Sequence, residues 1–228
     1  MQWTSRCPWT SIFQVISQIL KIFKKIGLPL FIVTVLGSTA DQWVTLKMED
    51  QLMNVHGTGP LIWWFGGLSV ILNLLYPLLT LLIILSALGS EKPLGFLQRF
   101  GNQTLIEQMR SWGKAMNWSL LFIIPGLIQF FRFVFVPFVV CFDPEYQTGT
   151  VDALEKSKTL ARGKLLPIIG LFLLFAVIFP ILLVAVDDYK LVWKTPLPAL
   201  FICFVEMLLN FCFIWILWRI YQKQRTAI

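Results

Sequence analysis

The chain has 228 residues, of which 57% are hydrophobic, 15% aromatic and 14% charged, and its formal net charge is +7. Soluble domains carry about 25% charged residues, so this composition excludes a soluble globular enzyme and a disordered chain. It predicts a single all-α domain that crosses a membrane several times. In such a protein the basic excess reports orientation in the membrane, and we expect no nucleic-acid partner.

The N-terminal residues 1–25 predict an amphipathic helix that lies in the membrane interface. Ile12, Ile16, Ile19 and Phe23 recur at helical spacing, and lysines and polar residues occupy the other face. Membrane-spanning stretches are then predicted at about 26–44, 61–89, 104–124, 127–142, 165–186 and 196–218. Two of these six helices, 104–124 and 127–142, form a hairpin with Pro125 and Gly126 at its tip.

The apolar stretch 115–142 decides the topology. A single crossing would give five spans with the two chain ends on opposite sides, whereas a hairpin puts both ends on one side. In the hairpin arrangement, fifteen of the nineteen Lys and Arg residues lie on that side and three on the other, with Arg132 inside the apolar stretch. Because basic residues accumulate in cytoplasmic loops, we adopt the hairpin with cytoplasmic termini. The first arm of the hairpin carries Glu107, Arg110 and Lys114, so the sequence does not decide whether the hairpin crosses the whole bilayer.

The segment 143–164 is polar and predicts a short cytoplasmic helix. Thr150 is a candidate N-cap and Gly163 a C-terminal stop. The helix carries Asp152, Ala153, Leu154 and Ser157, and the small Ser157 favours a close approach to the bundle. Packing is the simple interpretation of this helix, and contact with lipid headgroups or a partner is the alternative.

Several short motifs together resemble a group of bacterial membrane proteins. They are Ile124-Pro125-Gly126, Cys141-Phe142-Asp143, Asp152-Ala153-Leu154 with Ser157, Leu160 and Gly163-Lys164, and Trp218-Arg219-Ile220-Tyr221. Over residues 115–228 this layout resembles the YciC-like proteins and the membrane domain attached to some glycerophosphodiester phosphodiesterases. The resemblance implies a six-helix protein of the bacterial inner membrane. It implies no hydrolase activity, because this chain has no soluble catalytic domain.

Two ionisable residues, Arg132 and Glu206, fall within apolar spans. A charge at the centre of a spanning helix costs about 2.5–3.5 kcal/mol on insertion scales, so each is a candidate functional residue. Both lie roughly 15–18 Å along a helix from an inner end, which predicts that they pair. The pair is either a structural clasp or a substrate or proton site, and unpaired residues are the third possibility. Asn210 and Asn73 lie on polar stripes that favour helix contacts or a wet cavity.

No catalytic pattern is present. The chain contains no His-Glu-x-x-His, Gly-x-Ser-x-Gly or phosphate-binding loop, and its four cysteines have no zinc or disulfide spacing. We therefore expect no catalytic residue, cofactor or metal. The favoured hypothesis is a non-catalytic protein that supports a membrane complex or envelope and lipid homeostasis, with lipids and other membrane subunits as partners. The alternative is a transporter or lipid-handling protein with a polar cavity.

Overall fold

The computed structural model describes residues 8–54, 60–184 and 194–226, which are helical almost throughout and contain no strand. The ten α-helices of this part of the chain are α1 (Pro8–Asn54), α2 (Pro60–Leu88), α3 (Pro93–Leu121), α4 (Ile123–Arg132), α5 (Val136–Phe142), α6 (Pro144–Gln147), α7 (Ala153–Ala161), α8 (Leu165–Phe172), α9 (Phe179–Val184) and α10 (Pro196–Arg225). A π-helical segment, Leu173–Ile178, joins α8 to α9 without a break. The all-α prediction is confirmed.

Five helical segments are long and apolar enough to cross a membrane: Lys21–Met53, Pro60–Leu88, Ile123–Phe142, Leu165–Leu182 and Pro196–Arg225. The architecture is therefore that of a multi-pass membrane protein. The predicted sixth segment, 104–124, is not among them. All but its last three residues belong to α3, where Glu107, Arg110 and Lys114 interrupt the apolar residues.

Helix α1 is one continuous helix of 47 residues, so no break separates the predicted interfacial helix from the first span. Residues 1–7 of the predicted interfacial helix lie outside the described part. Helix α1 also continues beyond the predicted end of the first span at residue 44, as far as Asn54, because no Gly or Pro occurs between Gly37 and Gly57. Lys25 is exposed and lies eighteen residues before the exposed Trp43. That separation is about 27 Å of helix, close to the roughly 30 Å of a bilayer core.

The long helices α1, α2 and α10 pack side by side in alternating directions. α2 runs antiparallel to α1, since Tyr76 fills the space left by Gly37 and Trp43 contacts Phe65. α10 is also antiparallel to α1, because Phe23 contacts Phe211 whereas Phe31 contacts Phe204. The start of α1 and the end of α10 therefore lie at the same end of the bundle, which we call the basic end.

Helices α3 and α4 form the predicted hairpin, but its turn is at Phe122 and not at Pro125-Gly126. Phe122 adopts an extended conformation (φ −155°, ψ 134°) between the two helices. Pro125 lies in the first turn of α4, where a missing N–H costs no helical hydrogen bond. A Cβ atom on Gly126 would come within 2.7 Å of the Ser119 Cα atom, so the glycine permits the two arms to touch.

The basic end contains most of the fully buried side chains of the described residues. After a break at Phe133–Phe135, α5 is almost wholly buried, and Val136, Val139 and Val140 have no exposed surface. Phe138 stacks against Trp218 and Tyr221 of α10. This core encloses α5 between α3, α7 and the end of α10.

Helix α7 confirms the predicted short helix after the hairpin, with one correction at its start. Its N-cap is Asp152, not Thr150, whose hydroxyl instead donates to the Glu145 carbonyl. Gly163 takes a positive φ of 79°, which ends the helix as predicted. The next spans begin as predicted at Leu165 and Pro196; residues 185–186 of the first lie outside the described part, and α10 continues seven residues beyond 218.

Candidate functional site

A cavity of about 250 Å³ lies where the hairpin meets the spanning helices. Its wall is mostly aromatic and aliphatic, and none of its side chains is charged. It is lined by Pro77, Thr80 and Leu81 of α2; Gln108, Ser111 and Trp112 of α3; Phe130, Phe133, Val134, Pro137 and Phe138 of α4 and α5; Phe172 of α8; and Asn210, Phe213, Ile214 and Leu217 of α10. An engineered apolar cavity of about 150 Å³ already binds benzene, so this one has room for part of a hydrocarbon chain.

Two of the polar side chains of the wall bond to their own helices. The Thr80 hydroxyl donates to the Pro77 carbonyl, and the Ser111 hydroxyl donates to the Gln108 carbonyl. The Gln108 side chain differs, because its buried Oε1 atom has no hydrogen-bond partner within the described part of the chain. A buried acceptor without a donor is costly. The wall of the cavity is mainly apolar and suits a hydrocarbon chain.

An ionic cluster lies next to Gln108, on the side of α3 that faces α6 and α7. Arg110 binds Asp152 at 2.6 Å and Glu107 at 3.2 Å, and the Tyr146 hydroxyl donates to Glu107 at 3.4 Å. The hydrogen bond to Asp152 is the main cause that raises the pKa of Arg110. Burial, followed by the nearby Glu107 carboxylate, raises the pKa of Tyr146.

A second ionic contact extends this cluster along α6 and α7. Lys156 binds Glu145 at 2.6 Å and lies 4.0 Å from the buried Asp143. Asp143 also caps α6, since its carboxylate accepts from the Glu145 backbone N–H. These contacts lock α3, α6 and α7 together at the basic end.

The motif helix α7 holds the end of α4 through Ser157. The Ser157 hydroxyl is fully buried and donates to the Arg132 carbonyl at 2.8 Å. Arg132 is the last residue of α4, where a helix leaves carbonyls without intrahelical donors. Ala153 and Leu154 are also fully buried on this face. The buried residues of α7 therefore pack against the bundle, and Ser157 caps the end of α4.

The predicted partners Arg132 and Glu206 have different neighbours. Arg132 ends α4 beside α7, whereas Glu206 lies on α10 within electrostatic range of Tyr76 of α2. Tyr76 also lies beside Thr34 of α1, whose hydroxyl donates to the Leu30 carbonyl, so Glu206 lies near a polar contact of three spanning helices. The Arg132–Glu206 pair stays a prediction.

The two asparagines of the predicted polar site lie in different places. Asn210 lines the cavity. Asn73 instead donates to Asp41 at 3.1 Å and to the Ser69 carbonyl at 3.0 Å, so it joins α2 to α1 away from the hairpin. The structure therefore distributes the predicted polar site over three places: the end of α4, the polar contact near Glu206 with the neighbouring cavity, and the α1–α2 contact.

The sequence prediction missed the contribution of α3 to the cavity. Thr104, Gln108, Ser111 and Ala115 follow one another at helical spacing, and three of them are buried. This stripe of small and polar residues faces the second arm, where Thr104 shares a hydrogen bond with Cys141. Its periodicity is visible in the sequence, but the charges on the other face of α3 obscured it.

Within residues 8–54, 60–184 and 194–226 no group of His, Cys, Asp and Glu side chains is placed to hold a metal ion. Comparison with protein-family models, with curated proteins and with solved structures gives no match to this chain.

Proposed function

We propose that this chain is a non-catalytic integral protein of the bacterial inner membrane that serves lipid homeostasis by holding the hydrocarbon part of a lipid. The observation that carries the proposal is the cavity between the hairpin and the spans, with its uncharged wall. A route for a hydrophilic solute needs polar or charged groups along it. A wall of mainly aromatic and aliphatic side chains instead matches the hydrocarbon part of a lipid.

The proposed orientation rests on charge. The basic end carries Lys24 and Lys25, the cations of α3 and α7, and the cluster Arg219, Lys223 and Arg225, whereas Lys47 and Lys194 belong to the opposite end. Basic residues accumulate on the cytoplasmic side and attract anionic headgroups. In this proposal the basic end and both chain termini are cytoplasmic. The resemblance of residues 115–228 to the YciC-like group supports the inner membrane as the location.

The cavity proposal is tested by measuring which lipids stay bound after purification. We expect native mass spectrometry in mild detergent to show a retained lipid, and Ser111→Leu to reduce its occupancy because the added carbons fill the cavity. Ala176→Leu is the matched control, since Ala176 is exposed on the lipid-facing π-helical segment. Both variants must keep the wild-type circular dichroism. Equal retention by all three proteins, or none by the wild type, would refute the proposal.

Support of a membrane complex is the second candidate function. Only 6% of the residues in the span Leu165–Leu182 are buried by the described chain, so much of its surface is available to lipid or to a helix of another subunit. Crosslinking from Ile181, which is 64% exposed, would separate the two candidates. A photoreactive side chain there forms a protein adduct if the chain serves a complex, and lipid adducts alone if it does not.

A further inference from the structure

The hairpin formed by α3 and α4 pairs symmetrically about Phe122. Ser119 touches Gly126 three or four residues from the turn, and Thr104 meets Cys141 eighteen or nineteen residues from it. The two arms therefore stay together from the turn to the basic end. The hairpin is one structural unit, and its depth in the membrane is set by its whole length.

The tip of the hairpin is apolar and not covered by the rest of the described chain. Leu120 is 84% exposed, Ile123 81% and Phe122 72%. Ile124, Leu127 and Met116 add to the same surface. An apolar surface of this kind requires a nonpolar environment.

Charged side chains begin a short distance below this tip. Lys114 is exposed and lies eight residues before Phe122, about 12 Å along the helix. Arg110, with its exposed ion pair to Asp152, lies twelve residues before Phe122, about 18 Å away. α7 is attached at this level and presents Glu155 and Lys158 to the surface.

These distances decide how far the hairpin inserts. If its tip reached the far surface of a bilayer core of about 30 Å, Lys114 and the Arg110–Asp152 pair would lie in the middle of the lipid. Exposed charges at that depth are strongly unfavourable. If these charges remain at or near the surface of the basic end, the tip reaches only about 12–18 Å and ends inside the membrane.

The contacts of the hairpin with the spans agree with partial insertion. The cavity between them extends on α2 only as far as Pro77 and on α10 only as far as Asn210, which are central positions of those helices. Beyond that level α1, α2 and α10 contact one another, as at Phe31 and Phe204. The hairpin therefore packs against only the half of the bundle nearest the basic end.

We propose that the α3–α4 hairpin is a re-entrant wedge in the leaflet at the basic end, whose acyl chains cover its tip. The chain then crosses the membrane four times, through α1, α2, the α8–α9 segment and α10. The segment Ile123–Phe142 meets the length and hydropathy requirements for a span, but its paired arm α3 does not. This inference is independent of whether a lipid occupies the cavity.

Cysteine labelling tests the depth of the tip. In a variant with all four native cysteines replaced, Phe122→Cys is compared with Trp64→Cys at one end of the bundle and Lys223→Cys at the other. We expect a membrane-impermeant maleimide to label each control from one side only and Phe122→Cys from neither side. Labelling of Phe122→Cys from the Trp64 side would show full crossing, and labelling from the Lys223 side would show that the hairpin lies outside the membrane. Either result overturns the proposal.

A nitroxide at the same cysteine distinguishes lipid from protein as the covering. We expect high accessibility to oxygen, low accessibility to a water-soluble nickel reagent, and no spin–spin broadening in vesicles. Broadening that disappears on dilution with unlabelled protein would show a second copy over the tip and overturn the proposal. If the cysteine-free variant does not fold, a photoreactive side chain at Phe122 in the otherwise native chain serves instead, with lipid adducts expected and protein adducts contradicting the proposal.

Discussion

The two ends of the bundle are built differently. At the basic end the hairpin, α5 and α7 supply side chains that α2 and α10 bury, and Phe135, Leu154 and Tyr221 have no exposed surface. At the opposite end Trp63, Trp64 and Leu197 are 75%, 70% and 80% exposed, and the helices contact one another mainly through Gly37, Tyr76 and a few aromatic pairs. The difference shows that the core forms where the short elements pack against the ends of the long spans.

We expect the largest effect when a phenylalanine is replaced by alanine at each end and the two losses of stability are compared. Phe138→Ala removes a buried ring that stacks on Trp218 and Tyr221, and such truncations cost about 3–5 kcal/mol. Phe201→Ala on α10 is the matched control, because that ring is 68% exposed and we expect almost no loss. Denaturant unfolding in detergent micelles, followed by circular dichroism, measures both. Similar losses would mean that the two ends are equally packed.

The close contact within the hairpin gives the next effect. Gly126→Ala forces the new methyl group against the Ser119 backbone, and overpacking of this kind costs about 1–3 kcal/mol. Gly113→Ala, on the same hairpin, meets open space and serves as the control. Because alanine is a better helix former than glycine, we expect Gly113→Ala to leave stability unchanged or slightly higher. A stable Gly126→Ala protein would show that the arms are not in contact.

The cap on α4 predicts a loss in the same range. Ser157→Ala leaves the Arg132 carbonyl without its donor, which costs about 1–3 kcal/mol for a buried group. Ser111→Ala is the control, since the carbonyl bonded by Ser111 belongs to a residue within α3. The same unfolding measurement compares the two variants. If Ser111→Ala is the more damaging of the two, α7 does not stabilise the hairpin through Ser157.

The smallest effect concerns alkaline pH. Burial beside Glu107 raises the pKa of Tyr146 above its ordinary value of 10.0, so the neutral phenol is favoured in the folded protein. Its contribution to stability is complete below pH 10 and is lost as pH rises through the higher folded-state pKa. The absorbance at 295 nm of the wild type minus that of Tyr146→Phe should titrate above pH 10. A midpoint at or below 10 would place the phenol in solvent.

Much of the architecture could be predicted because it depends on local patterns. Long apolar runs identified α2, the α8–α9 segment and α10, and the positive φ at Gly163 matched the predicted end of α7. The hairpin was predicted as well, but its turn was assigned to Pro125-Gly126. A proline is compatible with the first helical turn, and the break at Phe122 has no residue type that marks it.

The sequence by itself determined that the chain is an all-α membrane protein with a short polar helix after a hairpin, because hydropathy and helical periodicity are properties of neighbouring residues. Only the tertiary structure decided that α3 belongs with the polar basic end, that Ser157 caps α4 and that Asn210 and Gln108 line one cavity. These relations join residues far apart in the chain. They depend on which helix faces are buried together, and a hydropathy pattern does not contain that information.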